Sequence, residues 1–163
     1  MTSLDPSADS VPRPEPRPGG LQRLIYASRQ NLPPGAALDE VVSDIIAASI
    51  RNNREQSITG LLLVHGGWFV QALEGPGAAV QDRYERIAAD PRHAGAKVLE
   101  IEPASARAFG DWNMCARSLS DADDALLDAL EQRRAFSPDR LDGRGALRLL
   151  KAVRDIQGRA GFG

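Results

Sequence analysis

The chain has 163 residues, enough for one domain of about 100 residues with extensions. Its composition, 42% hydrophobic and 26% charged, is that of an ordinary soluble globular protein. The formal net charge of −2, from 20 basic and 22 acidic side chains, excludes the overall basic face that nucleic-acid binding requires.

One cysteine, Cys115, permits no intramolecular disulfide and suits a reducing, cytoplasmic compartment. With only His65 and His93 besides, no metal site is expected. Residues 1–20 hold five of the eleven prolines and no apolar run, so they read as a disordered Pro-rich leader and as neither signal peptide nor membrane span.

From Leu21 the character changes. The stretch Leu21 to Arg29 (LQRLIYASR) is strand-like and ends at a loop marked by Pro33, Pro34 and Gly35. Leu38, Val41, Val42, Ile45 and Ile46 then recur at helical spacing, and the same stripe continues into Ser49 and Asn53. Gly60 to His65 and Trp68 to Glu74 read as two strands joined by a Gly66-Gly67 hairpin turn. A second helix is expected from about Pro76, with Val80, Tyr84, Ile87 and Ala88 inward. Further strands are expected over Lys97 to Glu102 and Trp112 to Ala116.

The order β-α-β-β-α-β plus one strand specifies an α/β (α+β) fold, a ferredoxin-like sheet with both helices on one face. It accounts for residues 21–118. Residues 119–163 form a C-terminal helical extension, with helices over about 121–135 and 144–157 that should pack on the sheet or on another subunit.

Strand parity locates what a plain core would not contain. Alternation puts Phe69, Gln71 and Leu73 on one face, and groups Leu24, Tyr26 and Ser28 on the preceding strand. A buried glutamine or tyrosine usually bonds one neighbour, and an asparagine near a helix end is usually a cap. Together, however, Tyr26, Ser49, Asn53 and Gln71 place four polar side chains between helices and sheet. Such a cluster suits a ligand that is flat, apolar over its rings and polar along one edge.

These residues also carry a resemblance. LIYASR, SIRNN, ITGLLLVHGGWFVQALEGP, DPRH and FGDWNM resemble a BLUF domain, the blue-light sensor that uses FAD, over residues 21 to about 118. The resemblance implies that Tyr26 is the photoactive tyrosine and Gln71 the switching glutamine. It implies that Ser49, Asn53, Arg92 and His93 line or hold the non-covalent FAD, for which FMN or riboflavin could substitute in vitro. Trp112 and Met114 would pass the signal to the C-terminal helices.

No catalytic output domain is expected, since the tail is too small for a cyclase or phosphodiesterase module. The expected partners are a homo-oligomer mate and a separate effector protein, with no nucleic acid and no membrane. Two rival functions remain at this level. One is a light-inactive flavin-binding or assembly module. The other is a small hydrolase of the acylphosphatase kind, with Arg29 and Asn31 as its anion cradle.

Overall fold

The computed structural model describes residues 20–110, 116–117, 124–130, 132 and 136–159. Within helices and strands, the side chains of residues 50, 53–55, 116–117, 124, 126 and 156–159 lie outside that description. The elements in chain order are β1 (Leu21–Gln30), α1 (Leu38–Glu55), β2 (Thr59–His65), β3 (Trp68–Pro76), α2 (Gly77–Ala89) and β4 (His93–Pro103). They are followed by β5 (Ala116–Arg117), α3 (Asp124–Ala129) and α4 (Gly143–Arg159).

The sheet runs β4-β1-β3-β2-β5. All pairs are antiparallel except β2 with β5, which is parallel. This is the ferredoxin-like arrangement with an added edge strand. β1, β2 and β3 lie at its centre and are covered on both faces, which is why they read as near-continuous apolar runs such as LLLV. One face packs Leu24, Tyr26, Leu62, Val64, Phe69 and Leu73 against Val41 and Ile45 of α1 and Val80 of α2. The opposite face packs Ile25, Ala27, Leu61, Leu63, Val70 and Ala72 against Ala146, Leu149, Leu150 and Val153 of α4. Of the two C-terminal helices expected from sequence, the second therefore packs on the other face of the same sheet.

The β2–β3 hairpin turns on Gly66 and Gly67, at φ of 56° and 85°. Two successive positive φ values suit the right-handed twist of the flanking strands and favour glycine. Gly75 serves a close approach instead: a Cβ there would lie 2.9 Å from the Ser57 carbonyl oxygen.

Three local expectations are corrected. Pro76 ends β3, and α2 begins at Gly77. Ala88 is exposed, while Tyr84 and Ile87 are half-buried and Val80 fully buried. β4 starts at His93 rather than Lys97. The sequence HAGA reads as a break because Gly95 takes φ of 58°, but the register against β1 shifts there and pairing resumes.

On the α4 side, one carboxylate ties several elements together. Glu74 is fully buried and accepts from Arg23 Nε at 2.8 Å, from the Ala108 amide at 2.8 Å and from the Phe109 amide at 2.7 Å. Arg107 beside it donates to Thr59 Oγ1, to the Glu74 carbonyl and to the Ser57 carbonyl at 2.7–2.9 Å. Arg154 of α4 donates to the Ala108 carbonyl at 2.7 Å. The segment leading toward β5 is therefore fastened to β3 on one side and α4 on the other. Removing one partner leaves a buried charge and idle amides, so Glu74→Ala should lower unfolding stability by about 3–5 kcal/mol in urea titrations. A loss below about 1 kcal/mol would contradict this account of the clamp.

Candidate functional site: a cleft over a buried tyrosine–glutamine pair

Tyr26 on β1 and Gln71 on β3 are directly opposed in the antiparallel register. Both lie on the face covered by α1 and α2, at 0% and 2% exposure. The Tyr26 hydroxyl donates to Gln71 Oε1. Strand pairing alone brings them together, because cross-strand partners on one face have neighbouring side chains. Burial, more than the nearby Tyr84 and Asp90, raises the Tyr26 pKa far above its ordinary value, so the phenol is held neutral.

His93, the first residue of β4, packs against both layers. Its ring centroid is 6.1 Å from that of Tyr26 and 4.7 Å from that of Phe69. Ser28 Oγ lies 2.8 Å from His93 Nδ1, both groups being buried. Burial pulls the imidazole down to about 4, against a weaker opposing pull from Asp90, so it is neutral at pH 7. The Tyr84 ring completes the surround at 5.5 Å from Tyr26.

Above this layer, α1 and α2 enclose a cleft of about 280 Å³. Ile45, Ala48 and Ile87 give it apolar walls, and Ser49, Asn52, Arg83, Arg86, Asp90, Arg92 and His93 give it polar ones. Arg92 is set by Asp90, which accepts from Arg92 Nε at 3.0 Å and from its backbone amide at 2.9 Å. That hydrogen bonding holds the Asp90 carboxyl below the usual carboxylate range and raises the guanidinium further. The Arg83 Nε–H is buried without a partner among the described residues. Apolar walls with polar groups at their edges, and one idle donor, fit a flat heteroaromatic group such as a flavin.

Ser49, Arg92 and His93 line the cleft, Tyr26 and Gln71 pair with each other beside it without lining it, and the His93 ring, 6.1 Å from that of Tyr26, connects the two. Asn53 belongs to α1, but its side chain lies outside the described residues, as do Trp112 and Met114 altogether. Sequence reasoning missed Asn52, Arg83, Tyr84 as a ring neighbour and the Ser28–His93 bond. Arg83 could have been found: it follows Val80 by three and precedes Ile87 by four, an inward position on α2. The residues suggested as a hydrolase cradle are otherwise engaged. Arg29 lies over the Trp68 ring at 4.5 Å, and Asn31 Nδ2 donates to the Pro91 carbonyl.

A ferredoxin-like fold with a buried Tyr–Gln pair and a part-apolar cleft between its two helices has the features of a ligand-binding sensory domain. The chain belongs to the BLUF family, sensors of blue light using FAD, whose model matches residues 21–115. It is 41% identical over 95 residues to photoactivated adenylate cyclase subunit beta of Euglena gracilis, covering 58% of this chain and 11% of that protein. It is 38% identical over 95 residues to the blue light- and temperature-regulated antirepressor BluF of Escherichia coli, covering 58% and 23%. The chain thus spans about a tenth to a quarter of the length of these curated relatives.

Among solved structures, the dark state of BlrB, a BLUF protein, is similar at TM-score 0.65 and 32% identity, over 86% of this chain and 99% of that one. The photo-activated state of BlsA is similar at TM-score 0.74 and 25% identity, over 81% and 93%. Among the described residues, no helix is long and apolar enough to cross a membrane.

The buried neutral histidine makes stability depend on pH. Its pKa is lower folded than unfolded, so between about 6.5 and 4 the unfolded chain binds more protons and stability falls as pH falls. We expect this to remove up to about 3 kcal/mol across that window, read as urea midpoints of the flavin-free protein. His93→Gln should flatten the part of the slope above about pH 5. An unchanged slope would contradict the buried neutral state.

Proposed function

We propose that this chain is a reversible blue-light switch in which Tyr26 is the photochemical donor and Gln71 the group that stores the signal. The hydrogen bond from the Tyr26 hydroxyl to Gln71 Oε1, buried on the helix-covered face beside the cleft-lining His93, carries this reading. Ser49, Asn53, Arg92 and His93, with Tyr26 and Gln71, would hold the flavin. When bound, FAD supplies the blue-light absorber and, once excited, a strong oxidant.

The rest is done by the protein's own groups. A phenol held neutral by burial becomes strongly acidic when it gives up an electron. Its proton then has one prepared path, along the existing bond to Gln71 Oε1. One amide carries both a donor and an acceptor, so once the electron and the proton have returned to Tyr26 the amide can be left rotated or tautomerised. A donor newly turned by Gln71 toward a bound flavin would favour the flavin's excited state over its ground state and so shift absorption to the red. His93, held neutral by burial, adds no charge beside Tyr26 before light acts. The cycle leaves no net chemical change, so the chain acts as a sensor and performs no turnover.

We further propose that residues 21–118 form the sensor and residues 119–163 the output extension. Trp112 and Met114 on the last strand would pass the altered bond to α3 and α4, and from there to a second copy of the chain or to a separate effector protein. A hydrogen-bond difference of about 0.5–1.5 kcal/mol supports a several-fold population shift. The single cysteine and the acidic net charge support a cytoplasmic setting without nucleic acid as partner.

Absorption spectra before and after blue light test the assignment. The wild-type protein with FAD should shift to the red and relax in the dark, whereas Gln71→Leu and Tyr26→Phe should bind flavin and show no such shift. A full, reversible shift in Gln71→Leu would remove Gln71 from the mechanism.

A further inference from the structure

The cleft carries one cation for which the photochemistry has no use. Arg83 of α2 lines it and is only 9% exposed. Its Nη2 donates at 3.1 Å to Gln56 Oε1, a neutral acceptor, and its Nε–H is buried with no partner among the described residues. The other two arginines of the cleft have carboxylates: Arg92 is bound by Asp90, and Arg86 by Asp82 at 3.2 Å.

Burial and the neighbouring Arg86 both work against the charged form of Arg83, with partial relief from Asp82. A buried guanidinium with an idle donor is unfavourable until an acceptor arrives, and an anionic acceptor relieves it most. The isoalloxazine ring is uncharged. Flavin nucleotides, by contrast, carry phosphate, whose oxygens match the planar N–H fork of arginine.

We propose that Arg83 binds the phosphate of a flavin nucleotide, so that this cleft selects FMN and FAD over riboflavin. The proposal rests on the cleft being the flavin site and adds a basis for choosing among flavins. Three features separate it from the alternative that Arg83 bonds the flavin ring itself. Discrimination should follow the presence of phosphate, should weaken as salt is raised, and should depend on the arginine side chain.

The test is reconstitution of the full flavin-free chain with FAD, FMN and riboflavin, each dissociation constant being read from flavin fluorescence at low and high salt. The wild-type protein should bind FMN and FAD at least about tenfold more tightly than riboflavin, with the gap narrowing in salt. Arg83→Gln should abolish the preference, lowering FMN and FAD binding about tenfold more than riboflavin binding. Arg83→Lys should keep part of it, since a point charge remains without the fork.

Equal affinity of the wild type for all three flavins would overturn the proposal whether or not the variants fold. So would an equal loss for all three in Arg83→Gln, which would place the contact on the ring. A wild-type chain that takes up none of the three would refute the cleft as flavin site, and the proposal with it.

Discussion

The Tyr26–Gln71 hydrogen bond is made where water does not reach, between two strands whose register admits it in one alignment only. Either group left without its partner would cost about 1–3 kcal/mol. A slip of one residue between β1 and β3 would turn every side chain to the other face and separate the pair. The same two strands carry a second buried polar pair three positions along, Arg23 opposite Glu74, on the opposite face. Both pairs are satisfied in one register, so the geometry needed for photochemistry is also the geometry the sheet is held to.

This arrangement gives β3 two chemically distinct sides. Gln71 faces α1, α2 and the cleft, and Glu74 faces the segment that α4 grips through Arg154 and the Ala108 carbonyl. The strand is covered on both sides and bonded along both edges, with β1 and β2 as neighbours. A change at Gln71 therefore occurs in a strand already in contact with the C-terminal helix. The fully buried Ala146, Leu149, Leu150 and Val153 make α4 part of the packed body.

Much of this was legible in the sequence because period-2 alternation is unambiguous where polar residues interrupt it. Parity alone groups Gln71 with Phe69 and Leu73, and Tyr26 with Leu24 and Ser28, the face that α1 and α2 cover, and Gly66-Gly67 marks the hairpin. What stayed hidden was long-range or disguised. Nothing local in Glu74 indicates that it would meet Arg23, Ala108 and Phe109, which lie 34 to 51 residues away. His93 reads as lying ahead of its strand because Gly95 imitates a break, and Arg83 stays hidden because an inward charge on a half-exposed helix resembles an ordinary surface residue.

The central claim is that light acts on the hydrogen bond of one tyrosine, and it can be tested on that residue alone. The chain has two tyrosines, so Tyr84→Phe leaves Tyr26 as the only one. In that variant, grown with ring-labelled tyrosine and loaded with FAD, a light-minus-dark infrared difference spectrum should show a phenol C–O band displaced by the label. Such a band means that the hydrogen bond of Tyr26 changes between the two states. A difference spectrum insensitive to the label, beside a normal red shift in the visible, would contradict the account.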